Sequence, residues 1–351
     1  MLRVLFAGLG AIGQRHLRNL HALVGPGLEV AAFRVRRQSA IVTQQLELDN
    51  HASVESTYGI QVFDKFEAAL ESFQPQLVFV CNPTSLHLDV ALPAARAGAN
   101  LFIEKPLAAN LEGAEELARI VEEKNLTALV GFQMRFHPCF VRLRQLLGEC
   151  AIGKLLAVRA RQGEYLPDFH PYEDYRQSYA AREALGGGVI LTQIHDLDYL
   201  VALLGAPERV FAMGGHLSSL EIDVEDVASI SLAMRSDGRA IPVHLHQDYL
   251  TRPPVRTCSL LGEAGSIEVD FGAPSLTHAG PSGATIKEYS FPGFERNQMF
   301  LDMLRHLLAC LDGTEKPLVG IRDAMRTQQV AMLARESLRT GQVMQVPLEG
   351  A

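Results

Sequence analysis

The sequence predicts an α/β domain joined to an α+β domain, and three observations carry that prediction. Over residues 1–131, short apolar or β-branched runs alternate with stretches of helical period, the pattern of a parallel sheet covered by helices on both faces. Beyond residue 131 the segments lengthen and alternate with period two, which argues for a mostly antiparallel open sheet. The length of 351 residues also exceeds what one core usually organises, so two domains are expected, at 1–131 and 132–351.

In the first domain, strands are expected at 3–7, 28–33, 61–63, 77–81, 100–104 and 127–131, with helices at 12–23, 39–50, 65–73, 86–97 and 111–124. A short helix at 139–147 follows. Strands are then expected at 154–164, 209–217, 227–234, 240–249, 256–261 and 266–269, with helices at 189–204, 295–311 and 321–338. The tract 163–188 holds Pro167, Pro171 and Gly186-Gly187-Gly188 and reads as a long functional loop.

Composition narrows the possible partners. Lys and Arg number 32 against 40 Asp and Glu, a formal charge of −8 with no basic stripe, so nucleic acid is not expected as a partner. Apolar stretches are interrupted before a bilayer-spanning length and no signal-peptide pattern opens the chain, so a cytoplasmic protein without membrane association is expected. The five cysteines, Cys81, Cys139, Cys150, Cys258 and Cys310, are scattered and lack C-x-x-C spacing. Neither a disulfide framework nor a thiolate metal site is indicated.

Gly8-Leu9-Gly10-Ala11-Ile12-Gly13 follows the apolar run Val4-Leu5-Phe6-Ala7 and opens a helical pattern. A glycine-rich turn of this spacing between strand and helix lets the backbone approach a pyrophosphate and aims free N–H groups at it, the mark of a dinucleotide-binding Rossmann domain. Glu104-Lys105-Pro106 ends the expected fifth strand, beside the ligand crevice. A fixed ammonium there can bind a substrate hydroxyl and stabilise alkoxide charge. After the second strand stands Phe33-Arg34-Val35-Arg36-Arg37, with no acid until Glu47. Arg34, Arg36 and Arg37 can pair with a 2′-phosphate, which favours NADP over NAD.

Together with Cys81-Asn82-Pro83-Thr84-Ser85-Leu86-His87 and Gly186-Gly187-Gly188-Val189-Ile190-Leu191-Thr192-Gln193-Ile194-His195, these motifs make the whole chain resemble the glucose-fructose oxidoreductase and inositol dehydrogenase (Gfo/Idh/MocA) family. The resemblance implies an NAD(P)-dependent oxidoreductase that moves a hydride between nicotinamide and a hydroxyl or keto carbon of a sugar, a sugar derivative or a cyclitol. It implies that Gly8, Gly10, Ala11, Ile12 and Gly13 hold the pyrophosphate, and that Asn82, Pro83, His87 and Glu104 lie toward the nicotinamide half. Lys105 polarises the reacting oxygen and His195 moves the proton, a task suited to an imidazole near neutrality. Arg135, His137, His170, Tyr175, Arg176 and Thr192 are expected around a polyhydroxylated ligand, with Tyr172 in the same loop.

Relatives often carry an aspartate where Thr192 stands, whereas Asp198, three residues after His195, matches a second acidic position and is expected to orient the imidazole, ahead of Asp196. His244-Leu245-His246 places two imidazoles on one strand face, but the family needs no metal, and that face is expected to be solvated or covered by a second subunit in a homodimer or homotetramer. A glycoside hydrolase that uses NAD transiently, and a non-catalytic nucleotide sensor, are the alternatives on the same scaffold.

Overall fold

Val4, Leu5, Phe6 and Ala7 are wholly inaccessible, as a parallel strand covered on both faces requires. They belong to the first strand of a computed structural model that describes residues 1–34, 40–43 and 46–347. Arg36 and Arg37 lie outside the described residues. In chain order the first domain runs β1 (Leu2–Ala7), α1 (Ala11–Val24), β2 (Leu28–Phe33), β3 (Ala40–Val42), β4 (Leu48–Ser53), α2 (Val54–Tyr58), β5 (Gln61–Phe63), α3 (Phe66–Phe73), β6 (Leu77–Val80), α4 (His87–Arg96), β7 (Asn100–Ile103), α5 (Ala114–Glu123) and β8 (Ala128–Val130). Six of these strands form an all-parallel sheet in the order β5-β2-β1-β6-β7-β8. The order reverses between β1 and β6, and the crevice at such a switch point is where ligands bind.

The rest of the chain runs α6 (Pro138–Gly148), β9 (Leu155–Gly163), α7 (Val189–Thr192), α8 (His195–Leu204), β10 (Arg209–Gly215), β11 (Val227–Ser236), β12 (Arg239–Asp248), β13 (Val255–Gly262), β14 (Gly265–Asp270), β15 (Ser275–Ala279), β16 (Thr285–Ser290), α9 (Arg296–Leu311), α10 (Ile321–Thr340) and β17 (Met344–Gln345). Its nine strands form one sheet, β16-β15-β14-β13-β9-β12-β11-β10-β17, antiparallel except where β9 meets β12. Alternation assigns the faces: Ile230, Leu232, Val243 and Leu245 are buried on the side where α7, α8 and α10 lie. His244 and His246 face outward, each beside a serine of β11, Ser231 at 3.0 Å and Ser229 at 2.9 Å. No single helix among the described residues is long and apolar enough to cross a membrane.

Two predicted helices are corrected. Residues 39–50 were expected to be helical, but β3 and β4 form a two-stranded antiparallel hairpin there. The reason is Gln14 of α1, whose side chain accepts from Val42 N at 2.8 Å and donates to Ala40 O at 3.0 Å, holding the β-branched run extended across the helix. The expected helix 189–204 breaks into α7 and α8 at Gln193-Ile194. Gln193 Nε2 donates to Asp248 O at 3.0 Å, and Gln247 Nε2 donates to Gln193 O at 2.7 Å, so both side chains pin the break to β12. Strands β15 and β16 carry no clean apolar alternation, and β16 is exposed along most of its length, which hides them from a periodicity reading.

The second domain does not end where it begins. α9 returns to the first domain, and Phe300, Met303, Leu304 and Leu307 join Val4, Phe6, Leu17 and Leu20 in one apolar cluster. Val130 N donates to Val319 O at 3.0 Å, and Arg322 of α10 pairs with Glu115 and Glu122 of α5. Beneath α1, the rings of Phe6, Phe79 and Phe102 stack across β1, β6 and β7 at 4.7 and 4.8 Å, each pair worth roughly 0.5–1.5 kcal/mol beyond its burial.

The glycine turn shows two different requirements. A Cβ on Gly13 would lie 2.3 Å from the Gly8 carbonyl oxygen, and one on Gly8, whose φ is +100°, would lie 2.7 Å from the Cys81 backbone. These two glycines serve the contact between helix and strands. A Cβ on Gly10 meets nothing within 4 Å, so its missing side chain clears space for something outside the protein. Gly13→Ala should therefore cost at least about 2 kcal/mol in urea unfolding. Gly10→Ala should cost no more than about 1 kcal/mol, the difference between the two residues at an N-cap, while weakening dinucleotide binding in a fluorescence titration.

Candidate active site

The carboxyl ends of β1, β6 and β7 supply three loops to one crevice. The first places the N-cap of α1 at Gly10, with no side chain capping the free N–H groups. The second, after β6, carries Asn82 and Pro83, and the Asn82 Oδ1 is buried without a partner. His87 clips the second loop to the third: its Nδ1 lies 2.9 Å from Pro106 O and its Nε2 3.0 Å from Asn82 O. Burial pushes this imidazole below its ordinary pKa, although the surrounding carbonyls act the other way. An open helix N-terminus, a glycine with vacant space above it and an orphaned amide oxygen fit a dinucleotide, with Gly8, Gly10, Ala11, Ile12 and Gly13 at the pyrophosphate and Asn82, Pro83 and His87 farther along.

Glu104 is buried at the end of β7 and fully occupied. Its Oε1 lies 2.6 Å from His16 Nε2, in α1, and its Oε2 accepts from Lys105 N at 3.1 Å. His16 itself has no exposed surface and lies edge-on to Phe102 at 4.7 Å. Glu104 therefore fixes the backbone from which Lys105 projects. The Lys105 ammonium leaves the first domain and donates to the Thr192 carbonyl at 2.8 Å, at the break between α7 and α8. Burial holds its pKa down to about 8, against the charge of Glu104, with Arg256 and Arg296 lowering it further.

The glycine triplet seats that break against the first domain. A Cβ on Gly186 would lie 2.9 Å from Thr84 Cβ, and one on Gly188 would lie 2.4 Å from the Glu225 carboxylate. Three residues past Thr192, His195 opens α8 with 4% of its surface exposed. Its Nε2 lies 2.9 Å from Gln133 Nε2, and its Nδ1 has no partner. Burial, then the charges of Lys105, Arg256 and Arg296, push the imidazole well below its ordinary pKa. Burial and the neighbouring cations thus favour the neutral ring.

The expected orienting residue is corrected. Asp198 does not hold His195 but accepts two hydrogen bonds from Arg135, at 2.6 and 3.0 Å, and one from Thr327 at 3.3 Å. The 3-10 turn Gln133–Phe136 therefore reaches α8 twice, Gln133 to His195 and Arg135 to Asp198. Sequence reasoning missed Gln133, which stands two residues before Arg135 in the same turn. Asp196, the other acid, is buried with Arg256 Nη2 at 3.3 Å.

Other expected substrate residues are engaged by protein partners. Arg135 is consumed by Asp198. His137 is buried between Phe271 and Phe294, and its Nδ1 caps α6 by accepting from Cys139 N at 3.2 Å. Burial, then Arg256, hold its pKa down to about 4. In the long loop His170 lies 2.6 Å from Glu173, Arg176 pairs with Asp174 and Glu221, and the Tyr175 hydroxyl accepts from Glu221 N at 3.3 Å. These pairings order the loop, and Glu173 and Tyr172 within it interact electrostatically with Tyr179. Thr192 and His195 do converge, joined by Arg256, Arg296 and Tyr179, which act electrostatically on one another. Arg34, expected at the ribose, forms an ion pair with Glu55 of α2 and is nearly inaccessible.

Comparison with known proteins identifies the family. Residues 2–132 match the model of the oxidoreductase family with an NAD-binding Rossmann fold, and residues 140–268 match that of the GFO/IDH/MocA C-terminal domain. The chain is 26% identical to scyllo-inositol 2-dehydrogenase (NAD(+)) of Bacillus subtilis strain 168, over 100% of this chain and 98% of that protein. It is 25% identical to myo-inositol 2-dehydrogenase of Thermotoga maritima, over 96% of each. Its fold is shared by the WlbA dehydrogenase of Bordetella pertussis, solved with NADH and UDP-GlcNAcA, at a TM-score of 0.80 and 18% identity over 99% of this chain and 98% of that one. With both of its domains matched by the family's own models, the chain belongs to the Gfo/Idh/MocA oxidoreductases.

Proposed function

We propose that the protein is a dehydrogenase or reductase of a CH–OH carbon in a sugar, a sugar derivative with or without a linked nucleotide, or a cyclitol. The observation that carries this reading is the Lys105 ammonium, sent from one domain to the Thr192 carbonyl of the other, one helical turn from the neutral His195 ring. The names of the inositol dehydrogenases support the substrate class.

A nicotinamide bound in the crevice would supply the hydride acceptor or donor. Lys105 would donate to the reacting oxygen and stabilise the charge that develops there. His195 would move the hydroxyl proton through Nδ1, its unpartnered nitrogen. For Nδ1 to accept, Nε2 must carry the hydrogen and face an acceptor. Gln133 can serve either state, because its Oε1 is also unpartnered and turning the amide over breaks no other side-chain bond. With its amide oxygen turned to Nε2–H, Gln133 is thus a positioning residue that keeps Nδ1 as the accepting nitrogen in both charge states of His195.

NAD and NADP both remain within this proposal. The NADP preference expected from the arginine run loses Arg34 as a support, since Glu55 already neutralises it, and rests on Arg36 and Arg37. We also propose a homodimer or homotetramer built on the outer face of the second sheet. Met213 and Leu261 stand 65% and 52% exposed there, in register with the outward-facing residues Ser229 and Ala157 of the neighbouring strands.

Lys105→Met should lower turnover by about 10²–10⁴-fold while leaving NADH affinity within about threefold, measured by steady-state kinetics and fluorescence titration. Release of free sugar without net change in nicotinamide absorbance would assign the hydrolase instead. In the wild type, kcat/KM for oxidation should fall about tenfold per pH unit above pH 8, where the Lys105 ammonium is lost, with no acid limb until below the ordinary histidine range. Glu55→Gln should free Arg34 and raise NADPH affinity relative to NADH by about tenfold in paired titrations. Light scattering should give a mass of two or four chains, and Leu261→Glu should shift it toward one.

A further inference from the structure

The loop between β9 and α7 encloses a recess of about 220 Å³, part of it open to solvent. Leu166, Phe169, Tyr175 and Ala180 line it, with Ser178 and the partly exposed pair of His170 and Glu173, whose side chains meet at 2.6 Å. The wholly buried Tyr249, just past β12, holds three parts of this lining. Its carbonyl accepts from Leu166 N at 3.0 Å, its ring meets that of Phe169 edge-on at 5.8 Å, and its hydroxyl donates to Ala180 O at 3.3 Å. Backbone contacts also join the recess to the reacting residues. Glu164, two residues before Leu166, donates its N–H to Asp248 O at 3.1 Å, and the same carbonyl accepts from Gln193 Nε2 at 3.0 Å, next to the Thr192 carbonyl that holds Lys105. Two residues of extended chain span no more than about 7 Å.

One buried polar group in this lining is uncommitted. Ser178 is 9% exposed, and its Oγ is buried without a hydrogen-bond partner. It stands at the N-cap of the 3-10 turn Tyr179–Ala181, where a serine commonly spends its hydroxyl on the free N–H groups, yet its side chain makes no capping bond. The Tyr175 hydroxyl is taken by Glu221 N, and His170 Nδ1 by Glu173 Oε1. A buried hydroxyl left unmet is unfavourable, so the recess calls for an occupant. A water is a poor one, because a buried water typically makes about three hydrogen bonds and the apolar walls offer it little besides Ser178. The lining suits instead a small group with an apolar end and an acceptor beside it. At the exposed side, Glu173 Oε2 makes no hydrogen bond among the described residues and is free to accept from a donor next to that group.

We infer that this recess receives the acetamido group of an N-acetylated sugar substrate. The methyl packs against Leu166, Phe169 and Ala180, the carbonyl oxygen accepts from the Ser178 hydroxyl, and the amide N–H donates to Glu173. The inference rests on the dehydrogenase reading and narrows it to acylated amino sugars. A free amine in the same place would pair with Glu173 but leave Ser178 and the apolar walls unmet, and a plain hydroxyl would meet Ser178 but leave the walls without contacts. The acetamido group alone of the three satisfies all of them.

The test uses the full chain saturated with NADH, into which N-acetyl-D-glucosamine, D-glucosamine and D-glucose are titrated by calorimetry. The acetylated sugar should bind at least about tenfold more tightly than either of the others. Ser178→Val removes the hydroxyl and fills the space with methyl groups, and should erase that advantage. The milder Ser178→Ala should reduce it about fivefold, with NADH affinity within about threefold of wild type in both variants. Equal behaviour of the acetylated sugar and glucose, including no binding by either, overturns the acetamido site. Tightest binding of glucosamine assigns the recess to an amine through Glu173 and overturns it too, as does an advantage left unchanged by Ser178→Ala. Failure of the wild type to bind NADH at all would instead overturn the dehydrogenase reading.

Discussion

A carboxylate buried at the end of a strand organises this protein. Glu104 receives His16 from the glycine helix on one oxygen and the backbone N–H of Lys105 on the other, so the helix of the glycine turn and the residue that reaches the second domain share one anchor. Burying a carboxylate is costly unless its oxygens are satisfied. Here one partner is the neighbouring backbone and the other, His16, lies 88 residues earlier in the chain, and both must be in place before the charge is accommodated. The aromatic stack of Phe6, Phe79 and Phe102 provides the dry floor on which that contact is made.

The second domain adds its part by a similar device. One short turn after β8 sends Gln133 to His195 and Arg135 to Asp198, and two glutamines fix the break that precedes α8. The imidazole is held by neutral amide chemistry, whereas the ionic bond lies one turn deeper. That separation leaves His195 free of any carboxylate that would raise its pKa, and burial and neighbouring cations keep it neutral.

Legibility in the sequence followed how local each signal was. The glycine turn, the strand ends at Asn82 and Lys105 and the approach to His195 depend on short runs of residue types, and the structure sets them at one crevice. Period-two alternation in β11 and β12 marked the second sheet in the same way. What could not be read depends on contacts between distant segments. Gln14 holds residues 40–42 extended where helical period was expected. Asp198 sits at helical spacing from His195, yet a bidentate guanidinium competes for it and wins, because charge-assisted paired bonds outmatch one to a neutral ring. Arg34 met a carboxylate from a helix more than twenty residues on, and His137 became a cap between two phenylalanines. Residue type alone marks such side chains as candidates for ligand binding, and only the fold shows which are already spent on the protein itself.

The return of α9 onto α1 has a mechanical corollary. Phe300, Met303, Leu304 and Leu307 cement a helix that follows the second sheet to the underside of the nucleotide-binding half, so that half is finished only after the ribosome has made most of the second domain. Its early-made portion must wait with an uncovered greasy flank during synthesis. The same seam ties the two halves of the assembled molecule together.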